Sequence, residues 1–419
     1  MKKSDLFAVV PLAVLAVVAG ERGAVSVPAL APAPPADTAR PPAPAFPFPT
    51  VPAFPAFPAP EPVPEQPAPL PAPISLDPAA LRRVEEAVRA QVARGAFPGA
   101  ALAVGGRGQT VLERGIGRLA RGEAEVDPVR TVYDLASLTK VVATTMAVML
   151  LVEEGRMELD APVSRYLPEF RGGRKDRVTV RHLLAHTSGL PAGTGARTLT
   201  HVIATPLRAL PGSSVVYSDV NMVVLFAAAE RAAGEPLPDM LRRRVWEPLG
   251  MASTGFSPGG GCDLCAPTSR TGLSFRGMVH DPIARRLGGV AGNAGLFSTA
   301  HDLGRFAAML ANEGELEGVR VLRPETVRAF THRQPGARTR ALGWDTRGAA
   351  FLHTGFTGTS LWVDPDRGVW AVLLTNRTYG SSRRNPLPAL RRVVHNWVEN
   401  AAQGAGGRGG EAESRRSSR

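Results

Sequence analysis

The feature that most restricts the fold is where the strand patterns fall. Short strand-like runs occur near the start of the foldable chain, "GAALAVGG" and "TVLERGIG". They return near its end as "ALGWDTRG", "AFLHTG" and "GTSLWVDPDRGVWAVLLTN". From about Ser137 to Gly314 the apolar spacing is mainly helical, as in "SLTKVVATTMAVMLLVEEG", "TVRHLLAHT" and "NMVVLFAAAERAAG". Strands divided in this way imply one sheet assembled from both chain ends, with a helical region inserted between its parts. The first two strands read as a hairpin, and "DPDRG" as a turn. "LDPAALRRVEEAVRAQVARG" predicts a first helix with Asp77 as N-cap, Pro78 in the first turn and Gly95 as stop. Its apolar face is Leu81, Val84, Val88 and Val92. "LPALRRVVHNWVEN" predicts a last helix. The terminal helices would cover one sheet face, and a ligand site is expected in the cleft between sheet and helical lobe.

The folded part is flanked by segments of another character. Lys2 and Lys3 precede an apolar run, Leu6 to Gly20. About 15 apolar residues is short of the roughly 20 a membrane span needs, so residues 1–25 read as a signal peptide or, if uncleaved, an anchor through residues 6–20. The expectation is an exported, periplasmic or extracellular protein. Residues 26–75 form a Pro/Ala-rich linker. Proline at that density blocks helix and ladder, leaving polyproline-like chain that reaches on the order of 145 Å at about 3.1 Å per residue. That suits a spacer, or a leftover with no spacing role. The domain is placed at 76–400 and a disordered, solvated tail at 401–419.

Net charge is +12. The arginines are scattered and no basic stretch is interleaved with aromatics, so no nucleic-acid partner is expected. Cys262 and Cys265 in "CDLC" are the two cysteines. A zinc site would need more ligands, so the pair reads as a small disulfide or as structural thiols. No metal and no cofactor are expected.

Only four of the 49 basic residues are lysines: Lys2, Lys3, Lys140 and Lys175. Lys140 closes "DLASLTK", three residues after Ser137. If a helix begins there, the two share a face, and Ser137 lies where free N–H groups favour negative charge. A serine nucleophile needs a base, and lysine serves only by losing its proton, which arginine does not do. Neutrality near pH 7 requires a pKa lower by about three units, roughly 4 kcal/mol. Burial or a second cation could supply that. A lysine at serine-plus-three also arises by chance, so the tetrapeptide alone does not decide.

The surrounding sequence does. "YDLASLTKVVATTMAVMLLVEEGRMELDAPVSRYLPEF", "VTVRHLLAHTSGL", "YSDVN", "GGVAGNAGLFSTAHDL" and "HTGFTGTSLWVDP", in this order, resemble the serine β-lactamase-like hydrolases. These comprise class C β-lactamases, class C-type penicillin-binding proteins and related esterases. The resemblance covers about residues 78 to 400. It implies an α+β fold, an α/β sandwich whose antiparallel sheet is flanked by the terminal helices, with a helical lobe. It implies Ser137 as nucleophile, Lys140 as its base and Tyr217 as proton shuttle. Asp219 stands where the second motif usually has an amide, and His353-Thr354-Gly355 where β-lactamases have Lys-Thr-Gly. The N–H groups of Ser137 and Phe356 would form the oxyanion hole.

Histidine at position 353 would carry a pH-dependent charge. With Asp219 it points away from efficient β-lactam hydrolysis and towards esters or wall peptides. His186 is expected to hold a turn, Asn221 to point elsewhere, and "GGVAGNAG" to allow close backbone packing. The leading reading is an exported serine hydrolase acting through an acyl-enzyme on an ester, β-lactam or cell-wall peptide. The alternative is a non-catalytic wall- or partner-binding protein on a proline spacer.

Overall fold

The computed structural model describes residues 74–258, 261–270, 272–334, 339–379 and 385–414. Residues 1–73, where the leader and most of the linker are expected, and residues 415–419 lie outside them.

Helix α1 (Pro78–Ala93) begins as expected, with Asp77 accepting a hydrogen bond from Ala79 N–H. Gly95 ends it at φ +70°. Strands β1 (Gly99–Gly106) and β2 (Gln109–Gly117) form the hairpin. In the lobe, α2 (Met146–Glu153) and α3 (Asp219–Ala233) are almost wholly apolar, and α4 (Ala300–Ala311) packs against the sheet. Four more strands follow: β3 (Asp345–Arg347), β4 (Ala350–Thr354), β5 (Ser360–Asp364) and β6 (Val369–Thr375). The chain closes with α5 (Leu387–Ser414). That helix runs on past the expected boundary at Asn400: Ala401 is buried, and its carbonyl accepts from Asp77 N–H at 3.1 Å.

The sheet has six antiparallel strands in the order β3-β4-β5-β6-β1-β2. The two chain ends meet at β1 and β6, where Gly106 lies opposite Val369 and Ala100 opposite Thr375. Side chains alternate between two cores, as the period of a strand requires. Leu102, Trp362, Val369, Ala371 and Leu373 face a core shared with Val84 and Val88 of α1 and Leu390, Val394 and Val398 of α5. Ala101, Ala103, Leu361, Val363, Trp370 and Val372 face the lobe. Both faces are covered, which is why these strands read as unbroken apolar runs.

The middle of the chain is less purely helical than its periodicity suggests. A three-stranded sheet joins Tyr133–Asp134, Leu296–Ser298 and Gly255–Phe256. Apolar length identified none of these strands because each spans two or three residues. The stretch Ala136–Glu153 is apolar and long enough to cross a membrane, yet it is the buried centre of the lobe.

Candidate active site

The site begins at a strained turn. Ala136 has φ +47°, a left-handed conformation that costs a non-glycine residue about 1 kcal/mol or more. Buried Asp134 secures it, accepting from Ala136 N–H at 2.8 Å through Oδ1 and from His280 N–H at 2.7 Å through Oδ2. Burial pushes this carboxyl up to about 6. The expected helix start proves to be a 3₁₀ turn, Ala136–Leu138, followed by a π-helix, Lys140–Thr145, which leads into α2. A 3₁₀ turn has three residues per revolution, so it superposes positions i and i+3. Lys140 Nζ accordingly lies 2.9 Å from Ser137 Oγ.

The charge of Lys140 differs from the expectation. Its side chain is fully buried, and burial is the largest influence, acting to lower the pKa. Tyr217 and Asp219 act the other way, and together they raise it above the ordinary lysine value. The Asp219 carboxylate is 2.7 Å from Nζ, and Nζ also donates to Asn293 O at 2.9 Å. An ammonium with a carboxylate counterion and two further oxygen acceptors keeps its proton in a buried site. Asp219, expected to bind substrate, is here a partner of the lysine.

Tyr217 is set by the turn before α3. Ser218 caps that helix, accepting from Asn221 N–H. His186, at φ +58°, accepts at Nδ1 from Ser218 N–H and pairs with Asn221 Nδ2, both at 3.2 Å. His186 therefore does hold a turn, and Asn221 points into this network and to Ser188 Oγ. The Tyr217 ring lies 4.7 Å from the His186 ring, 6.0 Å from the His353 ring and 5.0 Å from Lys140 Nζ.

The third motif ends β4. His353 is 4% exposed. Burial, then the charges of Lys140 and Arg340, hold its pKa well below the ordinary value, so the imidazole stays neutral. The expected pH-dependent charge at this position is absent because two cations and a dry surrounding oppose protonation. Gly355 is required by close approach. A Cβ there would sit 2.5 Å from Leu135 O and 3.4 Å from Ala136 Cβ. The third motif thus lies directly against the serine turn. Thr357 Oγ1 donates to Asp134 O at 2.7 Å, and Thr359 Oγ1 to Leu135 O at 2.9 Å, fastening the two segments. Phe356 is 60% exposed, stacked on His280 at 5.5 Å, with the Arg377 guanidinium 4.5 Å from its ring centre.

Two participants carry no sequence signal. Asn293 contributes only its carbonyl, which reaches Lys140 because Gly292 packs where a Cβ would meet Met222 O at 2.0 Å. "GGVAGNAG" is therefore a close-packing segment, as expected. Arg340 is 5.3 Å from the Tyr217 ring centre. Asp345 stands 3.6 Å from its guanidinium, a looser pair than that of Lys140. With Tyr217, Asp345, Leu352, His353 and Thr354, Arg340 lines a cavity of about 230 Å³. Cys262 and Cys265 form a disulfide.

The arrangement can bring a buried ammonium, the Tyr217 side chain and a serine that follows a strained turn to one carbonyl group. Comparisons with known proteins agree with it. The family profile described as Beta-lactamase matches residues 84–396. The protein named "Putative D-alanyl-D-alanine carboxypeptidase" in Salmonella agona (strain SL483) is 32% identical over 302 residues, 59% of this chain and 70% of that protein. The solved structure of "EstCE1, a hydrolase with promiscuous acyltransferase activity" is 26% identical with TM-score 0.61, covering 75% of this chain and 98% of that one. A penicillin-binding protein homolog from Caulobacter crescentus has the same fold at TM-score 0.65 and 22% identity, covering 78% and 98%. An antiparallel sheet with a helical lobe, the three ordered motifs, and a profile spanning most of the folded chain lead to one conclusion: this chain belongs to the beta-lactamase and penicillin-binding-protein-like serine hydrolase superfamily.

Proposed function

We propose that this chain is an exported serine acyl hydrolase whose preferred substrate is a peptide ending in a D-amino acid with a free carboxylate. The observation that carries the reaction type is the contact of Ser137 Oγ with Lys140 Nζ at 2.9 Å, inside a buried site fastened to the third motif. Ser137 Oγ attacks the scissile carbonyl. Lys140, held cationic by Asp219, stabilises the oxygen as its proton leaves. Tyr217 is the base: its oxygen, as a phenolate beside the Lys140 ammonium, receives that proton, and the phenol so formed delivers it to the leaving nitrogen. The N–H groups of Ser137 and Phe356 hold the oxyanion, and water then releases the acyl group from Ser137.

The substrate class rests on the cavity beside Tyr217. Arg340 and Thr354 line it together with Tyr217, the residue proposed to protonate the leaving group. A guanidinium with a neighbouring hydroxyl recognises a carboxylate. The name of the Salmonella relative favours the same class. A second reading, ester hydrolysis, draws on the exposed Phe356 ring and on the likeness to EstCE1, a hydrolase with acyltransferase activity.

A parallel assay separates these readings: an N-acylated D-Ala-D-Ala peptide, p-nitrophenyl butyrate and nitrocefin, alongside fluorophosphonate labelling with peptide mapping. The expected result is label on Ser137 and the highest kcat/KM on the peptide. Label on another residue, or label that survives Ser137→Ala, defeats the mechanism. Turnover of the ester alone defeats the peptide reading.

A further inference from the structure

The last helix carries a buried cation that the mechanism above does not use. Arg391 of α5 extends to the loop after β4 and donates through Nη2 to Gly355 O at 3.1 Å and to Thr359 O at 2.7 Å. Its Nε is buried without a hydrogen-bond partner, and no carboxylate pairs with it among the described residues. Burial, then the charge of Arg377, pulls its pKa down to about 10. An uncompensated guanidinium in such a place is costly, and turn closure does not require a charge. Gly355 N–H already closes that turn on Thr359 O at 2.8 Å.

The carbonyl that Arg391 touches is significant for what lies at the other end of the same amide. Gly355 C=O and Phe356 N–H belong to one planar, resonance-coupled peptide group. A cation on the oxygen draws electron density from the nitrogen and strengthens the N–H as a donor. Chains of hydrogen bonds polarise in this way by about 10–30% per bond, more in a low dielectric. The Ala136–Ser137 peptide is built alike but without charge. Ala136 O accepts from Thr139 Oγ1 at 2.7 Å and from Thr139 N–H.

We infer that Arg391 is a positioning residue of the oxyanion hole, which polarises the Gly355–Phe356 peptide from the face of the sheet opposite the substrate and makes Phe356 N–H the stronger of the two donors. Phe356 is also held from its other side, where Arg377 Nε donates to its carbonyl at 2.8 Å. The inference rests on the serine hydrolase reading and names a residue outside the three motifs.

The test compares full-length Arg391→Gln, Arg391→Lys and Arg391→Met with wild type. Glutamine keeps a donor and removes the charge; lysine keeps the charge. Loss of a whole oxyanion donor costs about 10²–10³ in turnover, so R391Q should lose about tenfold in kcat/KM, with KM unchanged and R391K near wild type. Affinity for phenylboronic acid, which forms a tetrahedral adduct with the serine, should fall by the same factor. The ¹³C=O stretch of a slowly hydrolysed acyl-enzyme should move to higher wavenumber in R391Q, because a weaker hole polarises the ester less.

An R391Q protein with wild-type kcat/KM, boronate affinity and carbonyl frequency overturns the inference. So does a loss confined to thermal stability or to KM, which would make Arg391 a turn support only. R391M reports the combined loss of charge and hydrogen bonds; if it does not fold, R391Q and R391K still decide. Failure of the wild type to be acylated at Ser137 is a different result, and it defeats the hydrolase reading itself.

Discussion

The two halves of the site treat charge in opposite ways. At the serine end, the cation Lys140 is fully buried and faces a carboxylate at 2.7 Å. At the strand end, His353 is buried and neutral, and the cations stand off it: Arg340 towards the cavity and Arg391 behind the loop. The difference follows from what each half must do. A charge beside a nucleophile has to be held at a fixed point through the reaction, so it is neutralised in place. A charge that recognises an anion or polarises an amide has to keep N–H groups free for that contact, so Arg340 has only the looser Asp345 pair at 3.6 Å and Arg391 donates to carbonyls.

This contrast can be broken from either side, and the largest effect belongs to the serine end. Lys140→Arg keeps the charge but not the compact ammonium geometry. It should lower kcat/KM on every substrate by about 10²–10³-fold, the range for loss of one positioned electrostatic contact to a developing charge. Steady-state kinetics on the peptide and the p-nitrophenyl ester checks this; equal activity would show that the position of the charge is not critical.

Asp219→Asn comes next, with a fall of about 10²-fold in kcat. Its sharper signature is in stability. In the wild type the raised lysine pKa means the ion pair stabilises the fold from neutral pH up to about 10.5 and is lost on the alkaline side as pH climbs through the raised value. In Asp219→Asn the raising influence of the carboxylate is lost while burial and Tyr217 remain, so the lysine pKa falls relative to the wild type. Destabilisation of about 3 kcal/mol relative to the wild type is then present near neutrality, where the lysine is charged in both proteins. Tm measured from pH 7 upwards should show the gap between variant and wild type narrowing as the lysine loses its proton first in the variant.

At the strand end, Arg340→Met should raise KM for the D-Ala-D-Ala peptide by about 10- to 100-fold, as expected for one charge-assisted hydrogen bond, and leave p-nitrophenyl butyrate unaffected. The smallest change is His353→Lys. It puts a cation where the strand has a neutral ring and should raise the acylation rate by nitrocefin about threefold. A stopped-flow trace would show it; a slower rate would mean that the neutral ring is needed for packing.

Much of this was legible in the chain. The hairpin, the terminal helices and the strand–helix–strand order come from local periodicity, and the ordered motifs single out Ser137, Lys140 and Tyr217, which the fold brings together. The charge of Lys140 was not legible, because it depends on a partner 79 positions away, on whether Asp219 turns towards Nζ. Nor was the local geometry at Ser137: a helical apolar pattern does not distinguish 3₁₀, π and α winding. Arg340 and Arg391 were hidden by the composition, since in a chain with four lysines among 49 basic residues an arginine carries almost no information. Asn293 acts through its backbone and leaves no trace in its residue type.

The meeting of the chain ends at the centre of the sheet has a consequence for biosynthesis. Residues up to 233 already contain the serine, the lysine, the tyrosine and the aspartate, yet the donor at Phe356 and the strand that seats it are made more than a hundred residues later. Pairing of β1 with β6 waits until residue 375 has been synthesised. On the proposed mechanism, a ribosome-bound chain holds Ser137 with no finished oxyanion hole, and activity would switch on only when the final strand docks.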